Sequence, residues 1–219
     1  MTDKSHSFVV IGLGAFGATV ASELARFGNY VTGVDLDEKR AAAMGDALSQ
    51  TVILDATEEG ALREAGIDHH DAGVVAIGDN IEASILAALN LKLLGVGRIW
   101  AKASSKSHHR ILTRIGVDRV LLAEQEMGRH AAQMLHNPSV RDYVSLGNGF
   151  HIVTIDAPES LDGKTFDEID VGGRFDLRPL GLMRGKDFHD CPGDFAVAKG
   201  DKLLILGKRA ELRRFGDAL

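Results

Sequence analysis

Phe8-Val9-Val10-Ile11-Gly12-Leu13-Gly14-Ala15-Phe16-Gly17 is the stretch that decides the fold, because it joins a short apolar strand directly to a glycine-rich turn. A helical segment follows, and then a second apolar run, Tyr30-Val31-Thr32-Gly33-Val34, ends at Asp35. This order is a nucleotide-binding fingerprint, which consists of a strand, a Gly-x-Gly-x-x-Gly turn, a helix, a second strand and an acidic residue. Glycine is common here, at 25 of 219 residues, so the context of the turn carries the inference rather than the turn alone.

Each position of this turn has a physical role in nucleotide binding. Gly12 permits the tight turn, Gly14 lets the backbone approach a phosphate, and Gly17 lets the helix pack closely on the strand. The helix that begins near Ala15 directs free N–H groups and its positive dipole end toward the anion. Asp35 is placed to accept hydrogen bonds from ribose hydroxyls. The alternative is that these glycines serve only a tight turn.

Composition limits the other classes of function. A length of 219 residues favours one full domain and a small second one, and a hydrophobic fraction of 45% suffices for a packed core. A net charge of −6 argues against a nucleic-acid partner. A single cysteine, Cys191, excludes an internal disulfide and a cysteine zinc cluster. The amino terminus lacks the apolar core of a signal peptide, and no apolar run approaches the ~20 residues that span a bilayer, so we expect a soluble protein.

Beyond Asp35, short β-branched runs alternate with helical segments. Further strands are predicted at residues 51–54, 74–77, 99–101 and 120–122, and helices at about 15–27, 38–47, 58–65, 80–94 and 106–115. Six strands with helical crossovers predict an α/β, Rossmann-like, doubly wound parallel sheet of order 3-2-1-4-5-6. Its ligand crevice lies at the carboxyl ends of strands 1 and 4. In helix 80–94 we expect the apolar residues to pack in the core, namely Ile81, Ile85, Leu86, Leu89 and Leu93.

The carboxyl-terminal part of the chain has a different pattern. A helix from Glu124 to about His136 leads to Asn137-Pro138-Ser139, where Pro138 disfavours continuation of the helix. Alternating runs at residues 151–155, 180–184 and 203–206 then predict strands, and residues 209–215 a short helix. We therefore predict a nucleotide-binding domain at residues 1–138 and a small α+β domain at residues 139–219.

No catalytic centre is evident in the sequence. The second domain is too small to bring a substrate cleft and a general acid or base to a nicotinamide, so we expect a protein that is not an enzyme. The pairs His69-His70 and His108-His109 are expected at the solvated surface, and Cys191 in a turn. Lys102, at the end of strand 5, either meets a phosphate or is an ordinary surface lysine. Glu124, at a helix start, either caps the helix or takes part in a site.

These residues resemble the cytosolic regulatory subunits of bacterial Ktr- and Trk-type potassium uptake systems, which are built from an RCK (regulator of potassium conductance) domain. The resemblance covers nearly the whole chain. It is carried by residues 9–17, 33–35, 55–59, 75–84, 99–103, 115–120, 124–128 and 200–207.

The resemblance implies a binding switch with defined ligands and partners. The ligand is ATP or ADP, with NAD(H) as another option, and a divalent cation, Mg²⁺ or Ca²⁺, binds beside the phosphates at Glu124. The implied site residues are Gly12, Gly14, Ala15, Phe16, Gly17, Asp35, Leu36, Asp55, Ala56, Thr57, Ile77, Gly78, Lys102 and Glu124. Homodimers would form a ring, commonly octameric, that gates a membrane-embedded potassium pore from the cytoplasmic side. Apolar residues of the helix from Glu124 would belong to the dimer contact.

Two further expectations follow from the resemblance. Ktr-type relatives have arginine where this chain has Ala15, and that guanidinium reaches the terminal phosphate of ATP. Ala15 therefore weakens the inference of selectivity for ATP and the inference of a cation site. We expect ADP or a dinucleotide to compete with ATP better here than in relatives that carry arginine. The resemblance also implies that the second domain binds another small ligand, which in some relatives is a cyclic dinucleotide at a dimer interface. In this chain Arg174, Arg178 and Arg184 either meet its phosphates or are ordinary solvated arginines. The competing class of function is an NAD(H)-dependent oxidoreductase or redox sensor, which the fingerprint and Asp35 alone would allow.

Overall fold

Two compact units make up the chain, Met1–Gln125 and Glu126–Leu219. The computed structural model describes residues 5–136, 140–190 and 195–219. The division falls inside a long helix, whereas the sequence places the domain boundary after Pro138. The interruption expected at Pro138 and the turn expected at Cys191 lie outside the described residues.

The first unit contains the predicted parallel sheet. Its strands are β1 (Ser7–Ile11), β2 (Tyr30–Asp35), β3 (Gln50–Ile53), β4 (Ala72–Val75), β5 (Arg98–Lys102) and β6 (Arg119–Leu121). They are ordered β3-β2-β1-β4-β5-β6 and all pair in parallel, which confirms the predicted doubly wound order. Strands β2 and β3 lie on one side of β1, and strands β4, β5 and β6 lie on the other, so the strand order reverses at β1. The carboxyl end of β1 therefore faces the crevice at this switch point.

The crossover helices of this unit are α1 (Ala15–Arg26), α2 (Glu38–Ala43), α3 (Glu59–Glu64), α4 (Ile81–Leu93) and α5 (Lys106–Arg114), with a 3-10 turn at Ile67–His69. Capping side chains mark the first residues of several helices. Asp37, Asn80 and Ser105 each accept a hydrogen bond from a backbone N–H in the first turn of the following helix. These three helices, α2, α4 and α5, therefore begin at a residue that caps them.

The prediction that five apolar residues of α4 pack in the core was wrong for three of them, whereas Ile85 does pack against the core. The buried residues of α4 are Ser84, Ala87, Ala88, Asn90 and Leu91. Ile81, Leu89 and Leu93 are exposed instead, Leu93 by 60%. Small residues face the sheet because they allow the helix to approach it closely, so the larger side chains turn outward. An apolar face of α4 is thus left uncovered in the single chain.

Helix α6 (Ala123–His136) leads into the second unit, a five-stranded antiparallel sheet of order β10-β9-β11-β8-β7. Its strands are β7 (Val140–Gly147), β8 (Phe150–Asp156), β9 (Arg178–Arg184), β10 (Asp187–His189) and β11 (Lys202–Lys208). Short helices α7 (Phe166–Ile169) and α8 (Val171–Phe175), a 3-10 turn at Glu159–Leu161, and α9 (Arg209–Gly216) complete it. The predicted small α+β fold is confirmed. Strand β7 was missed because its residues are mostly polar or exposed at the sheet edge.

No helix in the described parts of the chain combines the length and the apolar character that crossing a bilayer requires.

The expectation that the paired histidines are solvated was wrong for two of the four. His108 is 1% exposed, and its Nδ1 accepts a hydrogen bond from the Ser104 N–H at 3.3 Å. His70 is partly buried, with its Nε2 2.9 Å from the Thr32 hydroxyl. Burial lowers the pKa of both imidazoles from the ordinary value of 6.5.

Lowering the pH should destabilise the first unit through His108. Because the folded pKa lies below 6.5, the unfolded chain binds more protons than the folded one as the pH falls below about 6.5. Protonation also removes the acceptor that Ser104 uses. Stability should thus be full above this pH and decrease below it. Thermal unfolding followed by circular dichroism should show a smaller acid-induced loss for His108→Gln than for the native chain. An equal loss in both would contradict this origin.

Candidate nucleotide-binding site

The glycine-rich turn closes against the end of β4. Gly12 has φ +93°, and its N–H donates to the Val34 carbonyl at 2.7 Å. A Cβ at Gly12 would lie 3.1 Å from the backbone of Ala76 and Ile77. Both the positive φ and the close approach require glycine here. The turn is therefore held between β2 and the loop after β4.

The other two glycines differ in what surrounds them. A Cβ at Gly17 would overlap the carbonyl oxygen of Gly12 and come within 2.9 Å of the Ala76 Cβ. Gly14 precedes α1 with φ −66° and ψ −176°, and the nearest heavy atom to a Cβ there is Arg40 Nη1 at 4.0 Å. Gly17 is thus required by packing inside the chain. Gly14 leaves open space over the start of α1, where a phosphate would meet the helix N–H groups.

Asp35 lies at the end of β2 and is only 8% exposed. Its Oδ2 accepts a hydrogen bond from the Leu13 N–H at 2.6 Å, and its Oδ1 accepts from the Asp37 N–H at 2.8 Å. The carboxylate therefore ties the glycine-rich turn to the end of β2. Each carboxylate oxygen has a second lone pair, so acceptor capacity remains for a ribose hydroxyl. Leu36, the next residue, is largely exposed beside it.

The loop after β3 is fixed by two sets of hydrogen bonds. Asp55 accepts from the Thr57 N–H and hydroxyl at 2.9 and 2.8 Å, and these bonds hold the pKa of the Asp55 carboxyl below its usual value. The buried Asn90 of α4 donates to the carbonyls of Ala56 and Thr57 at 3.0 and 2.9 Å. The loop predicted to surround adenosine is therefore held from behind by a helix.

Lys102 connects three of the predicted segments. Its side chain is 13% exposed, and its Nζ donates to Glu124 Oε1 at 2.7 Å. The same nitrogen lies 6.0 Å from the centroid of the Phe16 ring, and a Cβ at Gly78 would be 2.9 Å from it. Lys102 thus places one positive charge beside the glycine-rich turn, the loop after β4 and the first turn of α6.

Lys102 and Glu124 form an ion pair at this edge of the sheet. The hydrogen bond from Lys102 holds the pKa of the Glu124 carboxyl below its usual value. Glu124 is 66% exposed, so it stays accessible. Among the described residues, no group of three or more histidine, cysteine, aspartate or glutamate side chains could hold a metal ion. A divalent cation at Glu124 would need oxygen ligands from a nucleotide's phosphates.

Two residues that border these loops were missed in the sequence. Asn90 stands alone as a polar amide in the apolar run Ala87-Ala88-Leu89-Asn90-Leu91, which is the signal that could have identified it. Arg40 lies 3.9 Å from Asp35 and 3.8 Å from Asp37. No pattern in the sequence distinguishes Arg40 from other helix-surface arginines.

Comparison with known proteins gives matches over nearly the full length. The TrkA-N domain model matches residues 8–123, and the TrkA-C domain model matches residues 150–219. The chain is 36% identical over 213 residues to Ktr system potassium uptake protein A of Bacillus subtilis, covering 97% of this chain and 96% of that protein. It is 32% identical to the protein of the same name from Vibrio alginolyticus, covering 97% of each.

Solved structures share the fold. The RCK domain of GsuK superposes with a TM-score of 0.66 at 14% identity, covering 97% of this chain and 47% of that one. The GsuK channel bound to NAD gives the same TM-score and identity, with 97% and 39% coverage. At this identity the likeness establishes the architecture of the two units.

Proposed function

This chain belongs to the family of TrkA-N and TrkA-C domain proteins that includes the Ktr potassium uptake proteins, and we propose from this premise that it is the nucleotide-binding regulatory subunit of a potassium uptake system. The observation that carries the nucleotide-binding part is the position of Lys102. Its Nζ lies beside Phe16 of the turn, Gly78 and Glu124, at the carboxyl ends of the parallel strands. This is the edge at which doubly wound sheets bind nucleotides.

The nucleotide would lie across the turn with each predicted residue in a distinct role. The backbone from Gly12 to Gly17 and the start of α1 face the phosphates, and Lys102 neutralises them. Asp35 meets the ribose with its remaining lone pairs. Leu36, the loop Asp55-Ala56-Thr57 and Ile77 surround the adenosine. Glu124 contributes to a divalent cation beside the phosphates.

An adenine nucleotide is the ligand class we propose, with ATP and ADP ahead of NAD(H). Structural neighbours with this fold are described as bound to ADP and to NAD. Binding alone suffices for regulation, because a ligand shifts an equilibrium between two assembly shapes by its difference in affinity for them. No catalytic step is part of the proposal. The subunit would lie at the inner face of the cell membrane, held there by its pore partner.

A thermal shift series tests the ligand class. A ligand at 100 times its dissociation constant adds ~2.7 kcal/mol of stability, so ADP and ATP should raise the melting temperature of the native chain clearly. If NADH alone raised it, the oxidoreductase or redox sensor alternative would be favoured. Purification of the tagged chain from native membranes should recover a potassium pore subunit, and its repeated absence would contradict the partner.

Ala15 should reduce discrimination between ATP and ADP. Alanine offers no guanidinium to the terminal phosphate, so we expect calorimetry to show the two affinities within about 100-fold, a gap of ~2.7 kcal/mol. Ala15→Arg is the matched variant and should increase the preference for ATP by about tenfold. A native chain that prefers ATP by more than this gap would contradict the role given to Ala15.

The uncovered face of α4 supports assembly into a ring. Ile81, Leu89 and Leu93 follow one another at helical spacing and are all exposed. We expect Leu93→Asp to lower the mass of the assembly measured by light scattering, because a charge would be buried at an apolar contact. Phe27→Asp, at an exposed apolar residue just after α1, is the control and should leave the mass unchanged. The same mass for Leu93→Asp and the native chain would contradict a contact through this face.

A further inference from the structure

A cavity of about 620 Å³ lies within the Glu126–Leu219 unit, where the last turns of α6 lie beside β7, β8 and α9. This volume is in the range of small-molecule binding sites. Apolar side chains of β8 and α9, Val153 and Leu212, form part of its wall. The cavity is built entirely from this unit and does not include the nucleotide-binding turn, so an inference about it does not rest on the proposed function.

Positive charge dominates this cavity. Arg129 of α6 and Arg209 and Arg213 of α9 line it, and no carboxylate is among the described lining residues. The acidic partner of Arg213 is Asp217 at 3.8 Å, in a pair that is well exposed on both sides and therefore weak. Three guanidinium groups around one concave surface attract an anion, since each presents several donors in a fixed plane.

Tyr143 and Gln133 also line the cavity. The Tyr143 hydroxyl and the Gln133 Oε1 are themselves buried, and the Gln133 side chain is a hydrogen-bond partner of the Tyr143 phenol. The Tyr143 ring stacks on His151 with centroids 4.5 Å apart. Burial raises the pKa of the Tyr143 phenol, against the opposing effects of the Arg209 charge and of the hydrogen bond with Gln133. The Tyr143 ring, rather than its hydroxyl, is therefore the part of this side chain that can contact a ligand.

We propose that this cavity binds an organic anion, in which a phosphate group contacts Arg209 and Arg213 and an aromatic or apolar body lies against Tyr143 and Leu212. The arginines provide the charge-assisted hydrogen bonds, and the Tyr143 ring lies against the aromatic or apolar body. The apolar wall distinguishes such a ligand from inorganic phosphate, which would leave that wall solvated. The ligand class is therefore an aryl or similarly apolar phosphomonoester.

The test is calorimetric titration of the full chain with 2-naphthyl phosphate. We expect saturable binding, and binding weaker by at least about tenfold in the double variant Arg209→Gln/Arg213→Gln, because both charge-assisted contacts are lost. Arg214→Gln is the matched control. Arg214 follows Arg213 on the same helix but lies over the Phe175 ring, with its Cζ 6.0 Å from the centroid. The Arg214→Gln variant should bind the probe as tightly as the native chain does.

One further measurement separates the site from general binding of aromatic molecules. Uncharged 2-naphthol should fail to compete with the phosphate probe, because it lacks the group that contacts Arg209 and Arg213. The proposal is overturned if the native chain shows no saturable binding, as when a second copy of the chain fills the cavity. It is equally overturned if the double variant binds as tightly as the native chain, which would put the probe elsewhere, or if Arg214→Gln loses as much affinity.

Discussion

Gly17→Ala should abolish measurable ADP binding and destabilise the first unit by ~1–3 kcal/mol or more. The added Cβ would overlap the Gly12 carbonyl oxygen and come within 2.9 Å of the Ala76 Cβ. Both of these neighbours are backbone or Cβ atoms, so no side-chain rotation relieves the clash. Helix α1 would have to move away from β1, and its first N–H groups would move with it. Calorimetry with ADP and chemical denaturation measure the two losses.

Gly60→Ala and Gly14→Ala provide the controls for this prediction. Gly60 lies in α3, and a Cβ there would meet no heavy atom within 4 Å, so alanine should leave both stability and ADP binding intact or improve stability slightly. Gly14→Ala has room inside the chain and should fold normally, yet it should weaken binding because its methyl group takes the place of the approaching phosphate. Native ADP affinity in Gly17→Ala would contradict the role of the turn.

Lys102→Met should weaken ADP binding by at least about tenfold, or ~1.4 kcal/mol, with little change in stability. The variant keeps the length and apolar character of the stem, which packs against Gly78, but removes the one charge that Nζ places near Phe16 and Glu124. Fold stability should hold because Glu124 is mostly exposed and stays hydrated without its partner. Calorimetry with ADP measures the loss of affinity directly.

Lys92→Met is the matched control for Lys102. Lys92 belongs to α4 in the same unit, and its Nζ also makes one short hydrogen bond, to the Gly116 carbonyl at 2.6 Å. Removing that charge should leave the ADP affinity unchanged. If Lys102→Met and the native chain bound ADP equally, Lys102 would serve only its ion pair with Glu124, and the phosphate role would be wrong.

The parallel sheet could be predicted because its signals are local. Buried parallel strands are continuously apolar, and the first four strands each lead into a loop that contains glycine or aspartate, as at Gly12, Asp35 and Asp55. The carboxyl ends of such strands must share one edge, so the site residues could be grouped before their contacts were known. The Lys102–Glu124 hydrogen bond could not be predicted, since it joins side chains 22 positions apart.

Elements whose stability comes from tertiary contacts were the ones missed. Strand β7 pairs only with β8 at a sheet edge, so its sequence needs no apolar alternation. Helices α7 and α8 are too short to show a 3.6-residue period, and Thr165 and Asp170 cap them instead. In α4, periodicity identified the helix but not its buried face, because alanine and serine next to the sheet carry little hydrophobic signal.

Rubidium flux through the partner pore tests the central claim most directly. Vesicles would contain the potassium pore subunit that co-purifies with this chain, with native or Lys102→Met chain added. We predict that flux with the native chain differs between ATP, ADP and no nucleotide, and that Lys102→Met reduces this difference. Flux that is the same with and without nucleotide, while the native chain remains bound to the pore, would contradict a nucleotide-controlled regulatory subunit.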